Sequence, residues 1–268
     1  MPARELSAEQ RKSRDAILAH IGMEPGFTPV LRSILDAAID EAARASPADR
    51  LAVLDAGCGR KSPLVPFRGR IDRLVGGDLH EPSSPMAYLD EFVVVDLCRP
   101  AVALADSSFG LILSNFTLEH FRDPPAALAN FYRWLKPGGL LVVSTVNRGH
   151  PFVAAYLALP AAVRRRLQGS IKASEADAHP LVGACNDAAT IKHALATAGF
   201  ERIELQTVGH LARSWLRRWP AFALGAVGDL ATRWSPSRRS TIIAVARKPT
   251  RRSSEAGPSA LDAGARVR

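Results

Sequence analysis

The stretch Leu51-Ala52-Val53-Leu54-Asp55-Ala56-Gly57-Cys58-Gly59-Arg60 decides the fold of this chain. A short apolar run of strand length ends in an acid and is followed by two glycines one residue apart. This pattern predicts a buried parallel strand that breaks into a tight turn. Glycines in the turn allow positive φ angles and let a ligand approach the main chain without meeting a β-carbon. The turn is therefore a candidate cofactor site.

Two later strands carry an acid at the same end. The apolar run Leu74 to Asp78 ends 23 positions after Asp55, close to where nucleotide-binding α/β folds place the acid that holds the ribose hydroxyls. The run Phe92 to Val95 is followed directly by Asp96. Three successive strands thus end in a carboxylate at the edge where an open parallel sheet binds its ligand.

The rest of the chain alternates strand patterns with helix patterns, which indicates a parallel, doubly wound sheet. Caps and breakers predict helices from Phe27 to about Ala45, from Asp123 to the Lys136-Gly139 stretch, and from Asp187 to Gly199. Strands are predicted at Leu140 to Thr145 and Thr241 to Ala246. Two prolines follow the glycine turn, Pro63 and Pro66, and they predict at most a short helix there.

As a set, these motifs resemble those of the class I S-adenosylmethionine-dependent methyltransferases, in a small-molecule type with a Leu-Glu-His variant. The likeness is strong over residues 50–148 and weaker at Ala198-Gly199-Phe200 and in the closing strand. It implies an α/β, Rossmann-like fold with a doubly wound seven-stranded sheet, mostly parallel with an antiparallel last strand and helices on both faces. The matching pieces are Leu54–Gly59, Gly77–Asp78, Val95–Leu97, Phe109–Asn115, Leu118–Phe121 and Leu135–Ser144.

The resemblance implies an S-adenosylmethionine site at the carboxyl ends of the first four strands. Asp55 would hold the glycine turn and the cofactor's amino group, Asp78 the ribose hydroxyls and Asp96 the amine of adenine. A single strand-end acid can simply cap a turn, but three in phase favour cofactor binding. The other candidate contacts are turn and strand-end positions, and two leucines against the adenine ring: Gly57, Cys58, Gly59, Ser114, Asn115, Leu79 and Leu97.

Histidines near the strand ends are the candidate catalytic bases, because imidazole accepts protons near neutral pH. His120 follows the fourth strand and is the first candidate, and His150 after the fifth strand is the second. His179, in a predicted lid, is the third. The alternative role is a structural histidine that only bonds a loop backbone. For His120 the catalytic and structural roles are equally supported, whereas for His150 and His179 the structural role is favoured. Glu119 either braces the loop or touches substrate.

Composition predicts one large globular domain in the cytoplasm. The chain has 268 residues, of which 47% are hydrophobic and 23% charged. Its three cysteines lack metal-ligand spacing, so no metal site is predicted, and the first fifteen residues lack an apolar signal core. The predicted divisions are a loosely ordered segment 1–26 with a possible short helix, a domain 27–248 with insertions at about 147–185 and 210–237, and a basic tail 249–268 that is expected to be disordered.

The second insertion combines tryptophan with positive charge. From His210 onward the chain carries twelve Lys or Arg residues against three Asp or Glu, a surplus equal to the net charge of +9. Trp215, Trp219 and Trp234 lie in the insertion beside arginines, a pattern typical of a helix at a membrane interface. The segment is too short to span a bilayer. Contact with the inner membrane face is one hypothesis; internal packing or a dimer contact is at least as well supported.

The sequence therefore predicts a methyl transfer to a small-molecule or lipid-like acceptor at oxygen, by in-line displacement. A nicotinamide-dependent oxidoreductase is the first alternative, although Ser62 stands where its third glycine belongs. A non-catalytic protein that binds a membrane or partner on the same fold is the second. Nucleic acid is disfavoured as a partner, because the Asn/Asp-Pro-Pro-Tyr motif is absent after the fourth strand. The oligomeric state stays open.

Overall fold

A single sheet organises the chain in the computed structural model, which describes residues 7–23, 26–45, 50–82, 84–100, 103–164, 185–214 and 219–250. The sheet has seven strands in the order β3-β2-β1-β4-β5-β7-β6. Strands β1 to β5 are parallel, and β7 runs antiparallel to both of its neighbours. The strands are β1 Ala52–Ala56, β2 Arg73–Asp78, β3 Glu91–Val94, β4 Phe109–Asn115, β5 Leu135–Val146, β6 Glu201–Val208 and β7 Thr241–Arg247.

Helices cover both faces of this sheet, which confirms the predicted Rossmann-like, seven-stranded architecture. The central strands β1 and β4 are apolar apart from Asp55, Ser114 and Asn115 near their carboxyl ends, and they are almost entirely buried, as expected of parallel strands between two helical layers. The α-helices are α1 Ala8–His20, α2 Phe27–Ala45, α3 Pro124–Trp134, α4 Pro151–Ala158, α5 Ala188–Thr197, α6 Leu211–Ser214 and α7 Trp219–Thr232.

The core lies in two layers, one on each face of the sheet. Helix α2 packs Leu35 and Ile39 against one face. Helices α3 and α5 cover the other face, where Phe131 and Trp134 of α3 meet Leu195 of α5. All five side chains are buried. Because both faces are filled, only the two edges and the strand ends remain for binding a ligand.

The link from β1 to β2 departs from a full helix, as the two prolines predict. A six-residue 3-10 helix, Val65–Arg70, replaces it, with Pro66 in its first turn. Phe67 and Leu64 fill the space under the sheet. The glycine turn after β1 therefore leads into no α-helix, so no helix N-terminus directly follows this turn.

Strand β5 begins earlier than predicted. Helix α3 ends at Trp134 as expected, but the stretch Lys136-Gly139 belongs to the strand rather than to a separate turn. The reason is pairing on both sides: Leu135 pairs with Phe109 of β4, and the chain beyond β7 pairs with Gly138 and Gly139. Gly138 donates its N–H to the Lys248 carbonyl at 2.9 Å, and Lys248 donates in return to the Gly139 carbonyl at 2.9 Å. The extra pairing lengthens β5 at its N-terminal end, and local propensity does not predict this extension.

Within residues 1–26 the structure has a helix, α1, where the sequence allows a short one. This helix starts at a reciprocal capping box formed by Ser7 and Gln10. Its apolar side packs Leu18 against Phe222 and Ala226 of α7. The partner lies some two hundred residues away in the chain, so the short N-terminal pattern could not show it. Residues 1–6 lie outside the described ranges.

Two predicted segments lie outside the described residues. They are the greater part of the lid, residues 165–184 with His179, and the tail beyond residue 250. In the part of the chain that is described, none of the helices is both long and apolar enough to cross a membrane.

We expect Leu18→Ala to lower the free energy of unfolding by about 2–5 kcal/mol, the usual cost of emptying a buried leucine site. Leu18 is buried between α1 and α7. Urea denaturation followed by far-UV circular dichroism measures the loss. The matched control is Ala16→Ser on the exposed face of α1, which should change stability by less than about 1 kcal/mol. Equal stability of both variants would show that α1 does not belong to the folded domain.

Candidate active site

The glycine turn after β1 is packed between the end of β2 and Thr117, which follows β4. Gly57 has φ +77° and donates its N–H to the Gly77 carbonyl at 2.7 Å. A β-carbon at position 57 would lie 2.4 Å from the side chain of Thr117. Gly59 has φ +53°, and a β-carbon there would meet no atom within 4 Å. Gly57 is thus required by packing, whereas Gly59 borders open space.

Thr117 is a site residue that the sequence analysis missed. Its hydroxyl donates to the carbonyls of Ala56 and Asn115, both at 3.3 Å. The side chain thereby joins the end of β1 to the end of β4. Thr117 directly precedes the Leu-Glu-His motif, so its position beside a recognised motif was the only available signal.

Asp78 holds the turn in place through its carboxylate. One oxygen accepts the Gly59 N–H at 3.0 Å, and the other accepts the Leu79 N–H at 2.7 Å. Each carboxylate oxygen can accept a second hydrogen bond. Asp78 therefore shapes the turn and retains acceptor capacity toward ribose hydroxyls, as the resemblance implies.

Asp55 is a buried acid whose charge is poorly compensated. Burial raises the pKa of Asp55 to about 7; a hydrogen bond from Ser62 lowers it and the charge of Asp78 raises it further. Among the described residues, its Oδ2 atom has no hydrogen-bond partner. An ammonium group is the natural partner for such an oxygen, because it would compensate the buried charge. The site thus fits the amino group of S-adenosylmethionine.

Cys58, between the two glycines, has a structural environment. Its side chain is buried, and burial, with the charges of Asp55 and Asp78, raises the pKa of the thiol to about 12. The thiol is therefore neutral at physiological pH and unreactive as a nucleophile. Cys58 contributes to the turn through its main chain, whose N–H donates to the Gly77 carbonyl at 3.4 Å.

Asp96 and the two leucines lie beyond β2 and β3. Asp96 accepts the Cys98 N–H at 3.0 Å and lies 3.4 Å from Arg99 Nε, with its side chain 42% exposed. It can still accept from an amine in the cleft. Leu79 is exposed at the rim, where an adenine ring could cover it. The Leu97 side chain instead packs into the hydrophobic core, so the predicted side-chain contact with adenine is not available to it.

The end of β4 turns sharply at Phe116. Ser114 is fully buried, and Asn115 accepts the Ser144 hydroxyl at 2.6 Å. Phe116 has φ +53°, a strained value for a residue that is not glycine. Its N–H donates to the Ser144 carbonyl at 2.9 Å, which helps to hold the turn. The main chain at the end of β4 lies where the prediction places the methionine end of the cofactor.

The Leu-Glu-His motif forms a one-turn 3-10 helix, Leu118–His120. Glu119 is buried and accepts the Thr145 hydroxyl at 2.8 Å, and Asn186 donates to the same hydroxyl at 2.9 Å. Of the two roles left open for Glu119, the structure supports bracing the loop. His120 is half-buried at the end of this turn, close in sequence to the strand end that borders the site.

His150 is placed where it cannot serve as a base for a diffusing acceptor. The ring is fully buried, and its Nδ1 accepts the Phe152 N–H at 3.2 Å as the N-cap of α4. Burial lowers the pKa of His150, against the opposing effects of Asp229 and the Gly228 carbonyl. This prediction therefore needs correction, because the ring has no access to a substrate. The alternative, a structural histidine, describes it.

An aromatic cluster that the sequence did not reveal stands beside the end of β4. The ring of Phe27, at the start of α2, lies 4.9 Å from that of Phe116 and 4.8 Å from that of His210. Phe116 and His210 stack at 5.6 Å. Burial, with Arg213 adding to it, lowers the pKa of His210 to about 4, so the ring is neutral at physiological pH. Three distant segments contribute, hence no local motif signals the cluster.

Comparison with known proteins identifies the family. The profile described as Methyltransferase domain matches residues 31–223, more than half of the chain. The chain belongs to the methyltransferase domain family. The predicted S-adenosylmethionine-dependent class and its cofactor are thereby confirmed. The match disfavours the alternative prediction of a nicotinamide-dependent oxidoreductase.

Individual relatives of this methyltransferase match over shorter segments. A ubiquinone biosynthesis O-methyltransferase of Cereibacter sphaeroides is 32% identical over 108 residues, 38% of this chain and 44% of that protein. One from Chelativorans sp. is 30% identical over 141 residues, 50% of this chain and 49% of that protein. Phosphoethanolamine N-methyltransferase 1 of Arabidopsis thaliana is 34% identical over 105 residues, 36% of this chain and 21% of that protein. The matches thus span about half or less of these relatives.

A solved structure supports the fold alone. It is the complex between the Haloferax volcanii Trm112 methyltransferase activator and a methyltransferase, with a TM-score of 0.51 and 17% identity. The alignment covers 81% of this methyltransferase and 92% of that chain. At this identity the likeness concerns architecture, not substrate or partner.

We expect Gly59→Ala to abolish measurable S-adenosylmethionine binding by calorimetry while the protein stays folded. The added β-carbon enters the open space beside the turn. In addition, holding alanine in the left-handed backbone conformation costs about 1–3 kcal/mol. The control is Gly69→Ala, which also meets no atom within 4 Å but has no positive φ and lies in the 3-10 helix. If both variants bind as the wild type does, the open space is not the cofactor site.

A second prediction concerns pH. Because Asp55 titrates near pH 7, its carboxylate is mostly protonated below that value and charged above it. The affinity for S-adenosylhomocysteine should therefore rise about fivefold to tenfold between about pH 6 and pH 8. Asp55→Asn should bind more weakly and lose this dependence. An identical pH profile in the variant would mean that Asp55 does not hold the ligand's amino group.

Proposed function

We propose that this methyltransferase transfers a methyl group from S-adenosylmethionine to a hydroxyl oxygen of a small, largely apolar acceptor. The observation that carries the proposal is the neutral aromatic cluster of Phe27, Phe116 and His210 beside the end of β4. Because the prediction places the methionine end of the cofactor at that strand end, the acceptor would meet the methyl group there. An aromatic, uncharged wall favours a flat or lipid-like molecule over a strongly charged one.

The cofactor side of the site is built from main chain and carboxylates. Asp55 would hold the amino group, Asp78 the ribose and Asp96 the adenine amine, with the turn at Gly59 leaving room for the ligand. When bound, S-adenosylmethionine supplies a methyl group already activated by its sulfonium. The chain then has to align the acceptor oxygen and exclude water, tasks to which positioning contributes most.

The choice of oxygen over nitrogen rests on two supports. The relatives from Cereibacter sphaeroides and Chelativorans sp. are named for O-methylation in ubiquinone biosynthesis. The relative from Arabidopsis thaliana is named for N-methylation of phosphoethanolamine. A phosphorylated amine needs cationic groups at its phosphate, whereas His210 in the aromatic cluster is kept neutral by its low pKa and Arg213 beside it is ion-paired with Asp15. The cluster therefore fits the first acceptor class better.

His120 is the residue that we infer to accept the hydroxyl proton. It stands at the end of the 3-10 turn after β4, half-buried, while the neighbouring Glu119 is engaged with Thr145. A base at this place would take the proton as the oxygen attacks the methyl carbon. General-base assistance of this kind contributes about 10²–10⁴-fold in rate.

The test is a transfer assay that measures S-adenosylhomocysteine formation with three acceptors: a hydroxylated aromatic ring, the same ring with a long alkyl chain, and phosphoethanolamine. We expect turnover with the alkylated ring above all. Turnover of phosphoethanolamine alone would overturn the acceptor class. Cofactor binding without turnover of any acceptor would favour a non-catalytic binding protein.

We further expect His120→Asn to reduce kcat by about 10²-fold or more, with an unchanged dissociation constant for S-adenosylhomocysteine. The reason is that the substitution removes the proton acceptor and leaves the carboxylates of the cofactor side intact. The pH profile of kcat should lose its ascending limb in the variant. His193→Asn, on α5, is the matched control and should leave kcat unaltered. A His120→Asn enzyme with wild-type kcat would exclude a base at this position.

A further inference from the structure

The outward face of α7 is apolar along its whole length. Its exposed large side chains are Trp219, Leu224, Val227 and Leu230, and Trp234 follows just after the helix. Val227 is 61% exposed and Trp234 82%. The residues recur every three to five positions, so they share one side of the helix. We call these five residues the α7 stripe.

The packing of the opposite face of α7 fixes the rotation of the helix, and it keeps the stripe on the protein surface. Phe222 and Ala226 are buried against α1. The one acid of the helix, Asp229, is buried on this inner side, where it accepts the Ala212 N–H at 2.9 Å and the Ser240 hydroxyl at 2.8 Å. Turning the helix to hide the stripe would expose Phe222 and break both hydrogen bonds. The exposure is therefore built into the fold.

Positive charge stands at the C-terminal end of the stripe. The Arg233 guanidinium lies 4.6 Å from the Trp234 ring centre, and Arg238 is exposed in the turn after Trp234. At the other end, Arg14 lies 5.6 Å from the Trp219 ring centre but is itself buried between α1 and α7. On the described residues of α7 itself, no charged side chain is exposed. The pattern is an apolar band with tryptophan at each end and accessible arginines at the C-terminal end.

We propose that the α7 stripe docks on the surface of an anionic lipid bilayer, with the helix lying in the plane of the interface. Apolar side chains enter the acyl boundary, tryptophans sit at headgroup depth, and arginines meet the lipid phosphates. A helix of fourteen residues, about 21 Å long, lies along such a surface and does not cross it. A cytoplasmic protein of this kind would be peripheral to the inner membrane face.

A second copy of the chain is the less suitable occupant. In a two-fold symmetric pair, the stripe of one copy would meet the stripe of the other. The described residues of α7 carry no exposed acid that could face Arg233 and Arg238 of the second copy. An anionic surface, by contrast, offers phosphates to both arginines. The charge at this end of the stripe thus favours the bilayer.

The stripe is also connected to the candidate active site. The segment that leads into α6 and α7 begins at His210, whose ring stacks on Phe116 beside the end of β4. Asp229 of α7 and Ser240 before β7 fix this segment to the sheet edge. Docking through α7 would therefore hold the acceptor side of the domain near the membrane. The docking proposal itself does not depend on which acceptor is methylated.

The test is flotation of the full chain with two kinds of vesicle: phosphatidylcholine alone, and phosphatidylcholine with about a third phosphatidylglycerol. We expect the protein to float with the anionic vesicles and to be released as salt rises, because screening weakens the arginine contacts. The double variant Leu224→Gln/Val227→Gln should bind at least about tenfold more weakly. The control Val65→Gln, at a site 46% exposed on the 3-10 helix, should bind as the wild type.

Two results would overturn the proposal. One is vesicle binding that the double variant leaves intact. The other is a dimer in light scattering that the double variant dissociates, with no vesicle binding by the wild type. Calorimetry with S-adenosylhomocysteine accompanies each variant and should show unchanged affinity, since no stripe residue is part of the cofactor side. A loss of docking is thereby distinguished from a failure of the proposed methyl transfer.

Discussion

The rest of the structure depends on the contact between Thr117 and the turn after β1. With its side chain against Gly57 and its hydroxyl on the Ala56 carbonyl, Thr117 locks the ends of β1 and β4 together. Gly57 in turn reaches the Gly77 carbonyl of β2. Three parallel strands, β1, β2 and β4, therefore end at one fixed place, and the carboxylates of Asp55 and Asp78 stand there without help from a ligand. Preorganisation of this kind reduces the ordering that binding would otherwise have to offset.

The sheet and most of its helices could be predicted from the sequence because their signals are local. Apolar runs of strand length mark β1, β2 and β4, and Asp123 and Asp187 cap α3 and α5 at the positions predicted. What could not be predicted depends on partners far away in the chain. Examples are the packing of α1 against α7, and the early start of β5, which pairs with Phe109 and Lys248. The sequence near α1 and β5 carries no signal of these distant partners.

The candidate site divides in the same way. The acids could be found because each follows a strand, and motif spacing alone places them at one edge. Sequence could not distinguish a surface leucine from a core leucine, so Leu79 and Leu97 were treated alike although only Leu79 is exposed. It also could not tell a helix cap from a base at His150, since both follow a strand and precede a helix. The aromatic cluster escaped notice because α2, β4 and the second insertion each supply one ring.

The 3-10 helix between β1 and β2 has a consequence for competition inside a cell. Adenosine phosphates are abundant there and share the adenosine half of the cofactor. Phosphate-binding turns of doubly wound proteins rely on the N-terminus of a full helix to attract the anion. Here the chain that follows Gly59 offers no such helix, and a buried carboxylate, Asp55, stands beside the turn instead. A phosphate at this place would meet negative charge, so the crossover disfavours adenine nucleotides relative to a ligand that ends in an ammonium.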